Sequence, residues 1–176
     1  MADIRRILLE GPSKRNIGAV VGYVGTDPQR FAGLVSLYEA EDRSDKVMAM
    51  RAAWAISLCV EHHPKLAGPH IRKFVGQLGR KDIHGGAKRN MVRLLQFVDV
   101  PRRLRAEVYS TCLELVADIA EPVAVRAFSI TVAAKIAKDH PELMGELRSV
   151  VEMFADDPSP AFRSRARQII PLSRFK

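Results

Sequence analysis

An all-α chain wound as a right-handed solenoid of about five helix pairs is the fold this sequence predicts, and three observations predict it. Arg15, Arg51, Arg89, Arg126 and Arg163 recur at steps of 36, 38, 37 and 37 residues. Pro28, Pro64, Pro101 and Pro141 recur at steps of 36, 37 and 40. No segment alternates apolar and polar residues with β-branched enrichment, so no sheet is expected. Two independent markers share a period of about 37 residues, the range of stacked helical repeats in which each unit buries its apolar face against the next.

The elements follow from their start signals. Proline tolerates the first helical position because its missing N–H has no intrahelical acceptor there, and Ser, Asp and Asn cap the free N–H groups just before it. A first helix is predicted near 2–10, and Ser13 opens a second over 13–25. That second helix, SKRNIGAVVGYVG, carries Gly18 and Gly22, so it reads as a capping repeat or as a site of close helix approach. Asp27-Pro28 opens 28–41. Ser44-Asp45 opens 45–62, where Val47, Met50, Trp54 and Leu58, with Cys59 beside them, form one apolar stripe. His63-Pro64 opens 64–80, with Ile71, Phe74, Val75 and Leu78 on one side. His84-Gly85-Gly86 opens 86–98, as a plain turn or as an anion cradle at a helix N-terminus. Val100-Pro101 opens 101–118 with Val108, Cys112 and Leu115 inward, and Glu121-Pro122 opens 122–138. His140-Pro141 opens 141–155 with Leu143, Leu147, Val150 and Phe154 inward, and Ser159-Pro160 opens 160–171. The units therefore lie near 2–25, 28–62, 64–98, 101–138 and 141–171, read as one helical-repeat domain over 1–176.

Composition narrows the class. Of 176 residues, 47% are apolar and 27% charged, which is a globular balance and not a disordered one. The net charge of +8 permits an acidic protein, nucleic acid or anionic lipid as partner without demanding any of them. Cys59 and Cys112 both sit in apolar helical runs, so two buried free thiols are expected, which suits a reducing compartment. No signal-peptide pattern or 18-residue apolar window is present, so a cytoplasmic location and no membrane insertion are expected.

Few residues suggest chemistry. No phosphate-binding loop, nucleophile elbow, Cys-x-x-Cys or His-Glu-x-x-His pattern occurs, and the five histidines lack metal-ligand spacing, so no catalytic, cofactor or metal site is expected. The arginines of the ladder have two readings. Arg51, Arg89, Arg126 and Arg163 each have an acidic residue shortly before them, at Asp45, Asp82, Glu121 and Asp157, so the ladder Arg15, Arg51, Arg89, Arg126 and Arg163 can tie adjacent units together. Alternatively the second helices present a basic stripe, and Lys14, Lys88, Arg93, Lys135, Arg165 and Arg167 are the candidate binding surface for an acidic or phosphate-bearing partner. A second basic set, Lys65, Arg72, Lys73, Arg80, Lys81, Arg102, Arg103 and Arg105, reads as solvated helix faces. Trp54 reads as core rather than as a stacking platform.

The runs SDKVMAMRAAWAISL, EPVAVRAFSITVAAKIA and DDPSPAFRSRARQI resemble the HEAT/armadillo-like repeat, whose second helix opens with an Asp…Val-Arg…Ala-Ala pattern. The longer runs RAAWAISLCVEHHPKLAGPHI and KRNMVRLLQFVDVP are similar to a small stand-alone bacterial HEAT-like family of the Bacteroidetes type. The resemblance implies the fold and no particular activity. An adenylosuccinate lyase label attached to some relatives finds no support, because that enzyme's Ser-rich signature loop is absent. The cluster of tryptophans with a carboxylate that alkylpurine DNA glycosylases use is absent too. The expected function is a non-catalytic interaction scaffold, with a protein partner first. A nucleic-acid-binding or repair-like module is the alternative, and an uncharacterised enzyme the weakest reading.

Overall fold

The computed structural model describes residues 2–170, and among them it contains ten α-helices, one 3₁₀ stretch and no strand. They fall into two compact units, one up to Val98 and one from Asp99. The first holds α1 (Ala2–Leu9), α2 (Lys14–Val24), α3 (Pro28–Glu41), α4 (Lys46–His62), the 3₁₀ stretch Pro64–His70, α5 (Ile71–Val75) and α6 (Gly85–Leu95). The second holds α7 (Arg102–Ala117), α8 (Val123–Ala137), α9 (Pro141–Glu152) and α10 (Pro160–Ala166).

The predicted caps work as chemistry requires. Ser13 Oγ accepts from Asn16 N, and Asp27 Oδ1 accepts from Gln29 N and Arg30 N. Asp45 Oδ1 accepts from Val47 N and Met48 N, and Ser159 Oγ accepts from Phe162 N. Each satisfies N–H groups that the first helical turn leaves open. At α6 the cap is His84, whose Nδ1 accepts from Gly86 N at 3.0 Å. A Cβ on Gly86 would also lie 2.7 Å from Met50 Cγ, so α4 closes over this turn. Gly85-Gly86 is thus a capped turn, and the anion-cradle reading is set aside.

One predicted helix is broken. The stretch 64–80 is a 3₁₀ segment followed by five α-helical residues and a turn. Pro69 lies inside the segment and lacks an N–H, while Gly68, Gly76 and Gly79 add conformational freedom. Pro64 tolerates the first turn, but Pro69 five residues later does not allow a regular α-helix to build.

In the first unit α4 is central, packed against α1, α2, α3, α6 and the 3₁₀ stretch. The side it buries differs from the expected one. Met48, Ala49, Ala52, Ala53, Ile56, Cys59 and Val60 are buried, whereas Met50, Trp54 and Leu58 are half-buried and Val47 is 49% exposed. The physical reason is that α4 is apolar almost all round, so periodicity alone selects no face. Small alanines let neighbouring helices approach closely and so take the crowded sides. Larger residues remain on the less crowded side. Elsewhere the core is conventional: Phe31 and Phe74 meet edge-on with centroids 6.5 Å apart, and His70 packs against Phe31 at 5.6 Å.

The expected close approach at Gly18 and Gly22 is absent. A Cβ at either would meet nothing within 4 Å, and neither φ is positive. These glycines cost helix entropy without a packing return. Gly18→Ala and Gly22→Ala are each expected to stabilise the chain by about 0.5–1 kcal/mol. Urea denaturation checks this; a lowered midpoint in either variant would show a use for the missing side chain.

The 37-residue period reappears as bonds between residues one repeat apart. Arg5 Nε donates to Glu41 at 3.1 Å and Lys73 Nζ to Glu39 at 2.8 Å. Lys46 Nζ donates to the Asp82 carbonyl, and Arg93 donates to Ser57 Oγ at 2.9 Å and to Glu61 at 2.7 Å. In the second unit Tyr109 Oη donates to the Leu143 carbonyl at 2.5 Å. That unit is built around α8, against which α7, α9 and α10 pack. Its Val125, Ala127, Ile130, Val132 and Ala133 are buried. Both cysteines are free and buried, and burial pushes the Cys59 and Cys112 thiols up to about 12.

Candidate functional site

The basic stripe is not assembled as one surface. Lys88 is 4% exposed inside α6, so it cannot present a charge to a partner. Arg93 is held by Ser57 and Glu61 and lies 5.3 Å from the Phe97 ring, which makes it a tie between α4 and α6. Lys135 is exposed and 3.7 Å from Asp99, and Arg165 is half-buried. Among the described residues, Lys14 and Arg167 are the two of the six candidates that are exposed with no such neighbour.

The ladder arginines do different jobs. Arg51 Nη1 donates to the Leu8 carbonyl at 2.7 Å, closing the C-terminal end of α1. Arg126 is 4% exposed; its Nε donates to the Val116 carbonyl at 3.0 Å and its Nη1 to Asp157 at 2.7 Å. Arg163 Nη1 donates to the Asp157 carbonyl at 3.0 Å. Arg15 and Arg89 are exposed. Of the acidic residues expected to pair with the next arginine in sequence, Asp45 is a helix cap. Asp157 instead reaches back one repeat to Arg126. Asp82 belongs to Arg80, which also holds Asp42 at 2.5 Å.

What the arrangement does offer is an apolar ridge. Val47, Met50, Trp54 and Leu58 recur at helical spacing on the least buried side of α4, Val47 exposed and the other three half-buried. Arg51 and Glu61 lie along the same side, half-buried and already engaged. The flanking helices bring exposed groups of one sign: Lys14 and Arg15 at the start of α2, and Arg89 on α6. Beside the ridge α2 exposes Gly18, Ala19 and Gly22, which leave its surface low. Trp54 is therefore neither full core nor a free platform; its ring forms part of an open apolar face.

The second basic set is spread out. Lys73 and Arg80 are paired with acids. Lys65, Arg72 and Lys81 are solvated. Arg102 and Arg105 instead border a groove of about 690 Å³ beside α7 and α9. Sequence reasoning missed this groove, because its walls come from helices whose residues stand about one repeat apart. A smaller groove of about 610 Å³ lies between α1 and α3, lined by Ile4, Leu9, Gly33 and Leu37. Among the described residues no group of three or more His, Cys, Asp or Glu is placed to hold a metal ion. None of the helices in those residues is long and apolar enough to cross a membrane.

Comparison with known proteins adds the family. No curated protein and no solved structure matches the chain. The HEAT repeat domain matches residues 4–171, which spans the paired helices, the one-repeat ties and both units described above. On that match and on this all-helical architecture, the chain belongs to the HEAT repeat family.

Proposed function

We propose that the chain is a non-catalytic interaction scaffold. Its partner is a protein that seats an apolar contact on the α4 ridge and sets acidic residues against the basic groups beside it. The observation that carries this reading is the row formed on one side of α4 by the exposed Val47 and the half-buried Met50, Trp54 and Leu58. Isolated exposed apolar residues are ordinary, but a row of four apolar side chains open to solvent in part, on a helix at the centre of its unit, suits an interface core. Lys14, Arg15 and Arg89 on the neighbouring helices favour an acidic rim on the partner. The net charge of +8 acts in the same direction by speeding encounter with acidic surfaces. The two buried thiols suit a reducing, cytoplasmic setting.

Photo-crosslinking tests the reading. A photoreactive residue replacing Leu58 is expected to give discrete protein adducts in the native host, and one replacing the solvated Glu107 is not. Met50→Glu should abolish the adducts while shifting stability by only about 1 kcal/mol or less, because the side is half open. Trp54 emission, titrated with duplex and single-stranded DNA across a salt series, tests nucleic acid as the alternative partner. A salt-sensitive emission change with DNA and no protein adduct from position 58 would replace the present reading with the nucleic-acid one.

A further inference from the structure

The groove in the second unit shares no residue with the α4 ridge and has its own charge pattern. On α7, Arg102, Arg105, Tyr109 and Leu113 fall at steps of three and four, so one side of that helix forms a wall three turns long. Ile136 and Leu143 face it across the trough. Tyr109 fills the floor, and its hydroxyl proton is committed to the Leu143 carbonyl. Burial and the nearby Glu146 carboxylate push that hydroxyl up to about 12, so the floor stays neutral and apolar at every physiological pH.

The charge at one end is uncompensated. The first turn of α7 carries Arg102, Arg103 and Arg105, all exposed, and no acidic residue. Arg105 Nε is satisfied by the Val100 carbonyl. Among the described residues neither Arg102 nor Arg103 has a hydrogen bond or an ion pair. Pro101 occupies the cap position without a side-chain bond to the turn. Three cations at the positive end of a helix are unfavourable for the isolated chain. The opposite wall carries Glu146, and His140 lies 3.6 Å from Glu142, so negative charge is confined to the α9 side.

We propose that this trough docks an amphipathic helix of a protein partner, with its apolar side chains on Tyr109, Leu113, Ile136 and Leu143 and its acidic residues against Arg102 and Arg105. The proposal rests on the scaffold reading and assigns it a second face. Three observations select this occupant. The α7 wall matches a helix of about three turns in length. The apolar floor supplies the anchor sites. The Arg102 and Arg105 guanidiniums, which have no carboxylate partner among the described residues, fix the flank on which carboxylates sit, while the acidic α9 side rejects the reversed orientation.

Peptide display on the whole chain tests it. Random helix-forming peptides selected on the natural sequence are expected to share apolar anchors at i, i+3 or i+4 with two or more acidic residues on one flank. Their affinity, read by fluorescence anisotropy, should fall at least 10-fold with Arg102→Glu/Arg105→Glu and with Ala106→Trp, which fills the trough. Met50→Glu on the α4 ridge should leave it unchanged, so failure of this groove and failure of the ridge are read separately. Circular dichroism of each variant guards against unfolding. Selection of no peptide, peptides without acidic flanks, or peptides indifferent to both groove variants would each overturn the proposal.

Discussion

Arg126→Ala is expected to lower the stability of the second unit by about 3–5 kcal/mol, the cost of removing one partner from a buried ion pair. The side chains of Arg126 and Asp157 are 5% and 9% exposed, and they meet at 2.7 Å. Truncation would leave Asp157 carrying an unneutralised charge in a low-dielectric setting. It would also orphan the Val116 carbonyl, which closes the end of α7, and empty the space between the Phe154 and Phe162 rings. The guanidinium lies 4.7 and 4.5 Å from those ring centres, so the loss combines a charge, a cap and an aromatic contact. A loss of this size is comparable with the whole stability of many domains. Arg126→Lys should not rescue it, because one ammonium cannot serve a carbonyl, a carboxylate and two ring faces together. Arg126→Met combined with Asp157→Leu should recover part of the loss, since removing both charges removes the desolvation cost as well. Urea denaturation read by far-ultraviolet circular dichroism measures all of these. A change below about 1 kcal/mol for Arg126→Ala would mean that the pair is structurally idle.

Arg126 also marks how far the sequence could be read. A charged residue at a fixed place inside an apolar run, repeated every 37 residues, signals that the fold needs it there, and the family and the helix order followed from that signal. Its partner was not legible. Proximity in sequence pointed to Glu121, whereas stacking brought Asp157 from the next helix pair. Lys88 failed for a related reason. It precedes the exposed Arg89, and in a helix two adjacent residues point about 100° apart, so one charge turned to solvent places its neighbour inside. On α4 the apolar pattern ran round the whole helix, and only the positions of the neighbouring helices decided that Ala52 and Ala53 were core and Trp54 was rim. The groove beside α7 could not be foreseen either, because it depends on the spacing of two helices and not on either pattern. Helix starts were legible because caps and prolines act within one turn. Surfaces were not, because they are set by packing between residues one repeat apart.

Arg80 carries the second large expected effect, in the first unit and outside the arginine ladder. It lies in the turn before α6. Its Nη1 donates to Asp42 at 2.5 Å and to Gln77 Oε1 at 2.6 Å, while Nε and Nη2 hold Asp82 at 2.9 and 2.6 Å. Gln77 in turn accepts from Tyr38 Oη at 3.3 Å, so one guanidinium links the end of α3 to the turn one repeat later. The Asp42 side chain is 7% exposed and that of Asp82 66%, which makes the two carboxylates unequal. Arg80→Ala strands the buried Asp42 and is expected to cost about 2–3 kcal/mol, less than at Arg126 because the Arg80 side chain is 25% exposed. Asp82→Ala leaves the buried pair intact and should cost far less than Arg80→Ala. The acid limb of stability should separate them further. Hydrogen bonds from Arg80 lower the Asp82 carboxyl from 3.8 to about 2. A carboxyl more acidic in the folded chain than in the unfolded one stabilises above its ordinary value and loses that contribution as pH falls towards 2. Denaturation midpoints followed from pH 5 to pH 2 should therefore fall less steeply in Asp82→Asn than in the natural sequence. Equal slopes would show that Arg80 does not hold Asp82 in solution, and equal losses for Arg80→Ala and Asp82→Ala would show that Asp42 does not depend on it.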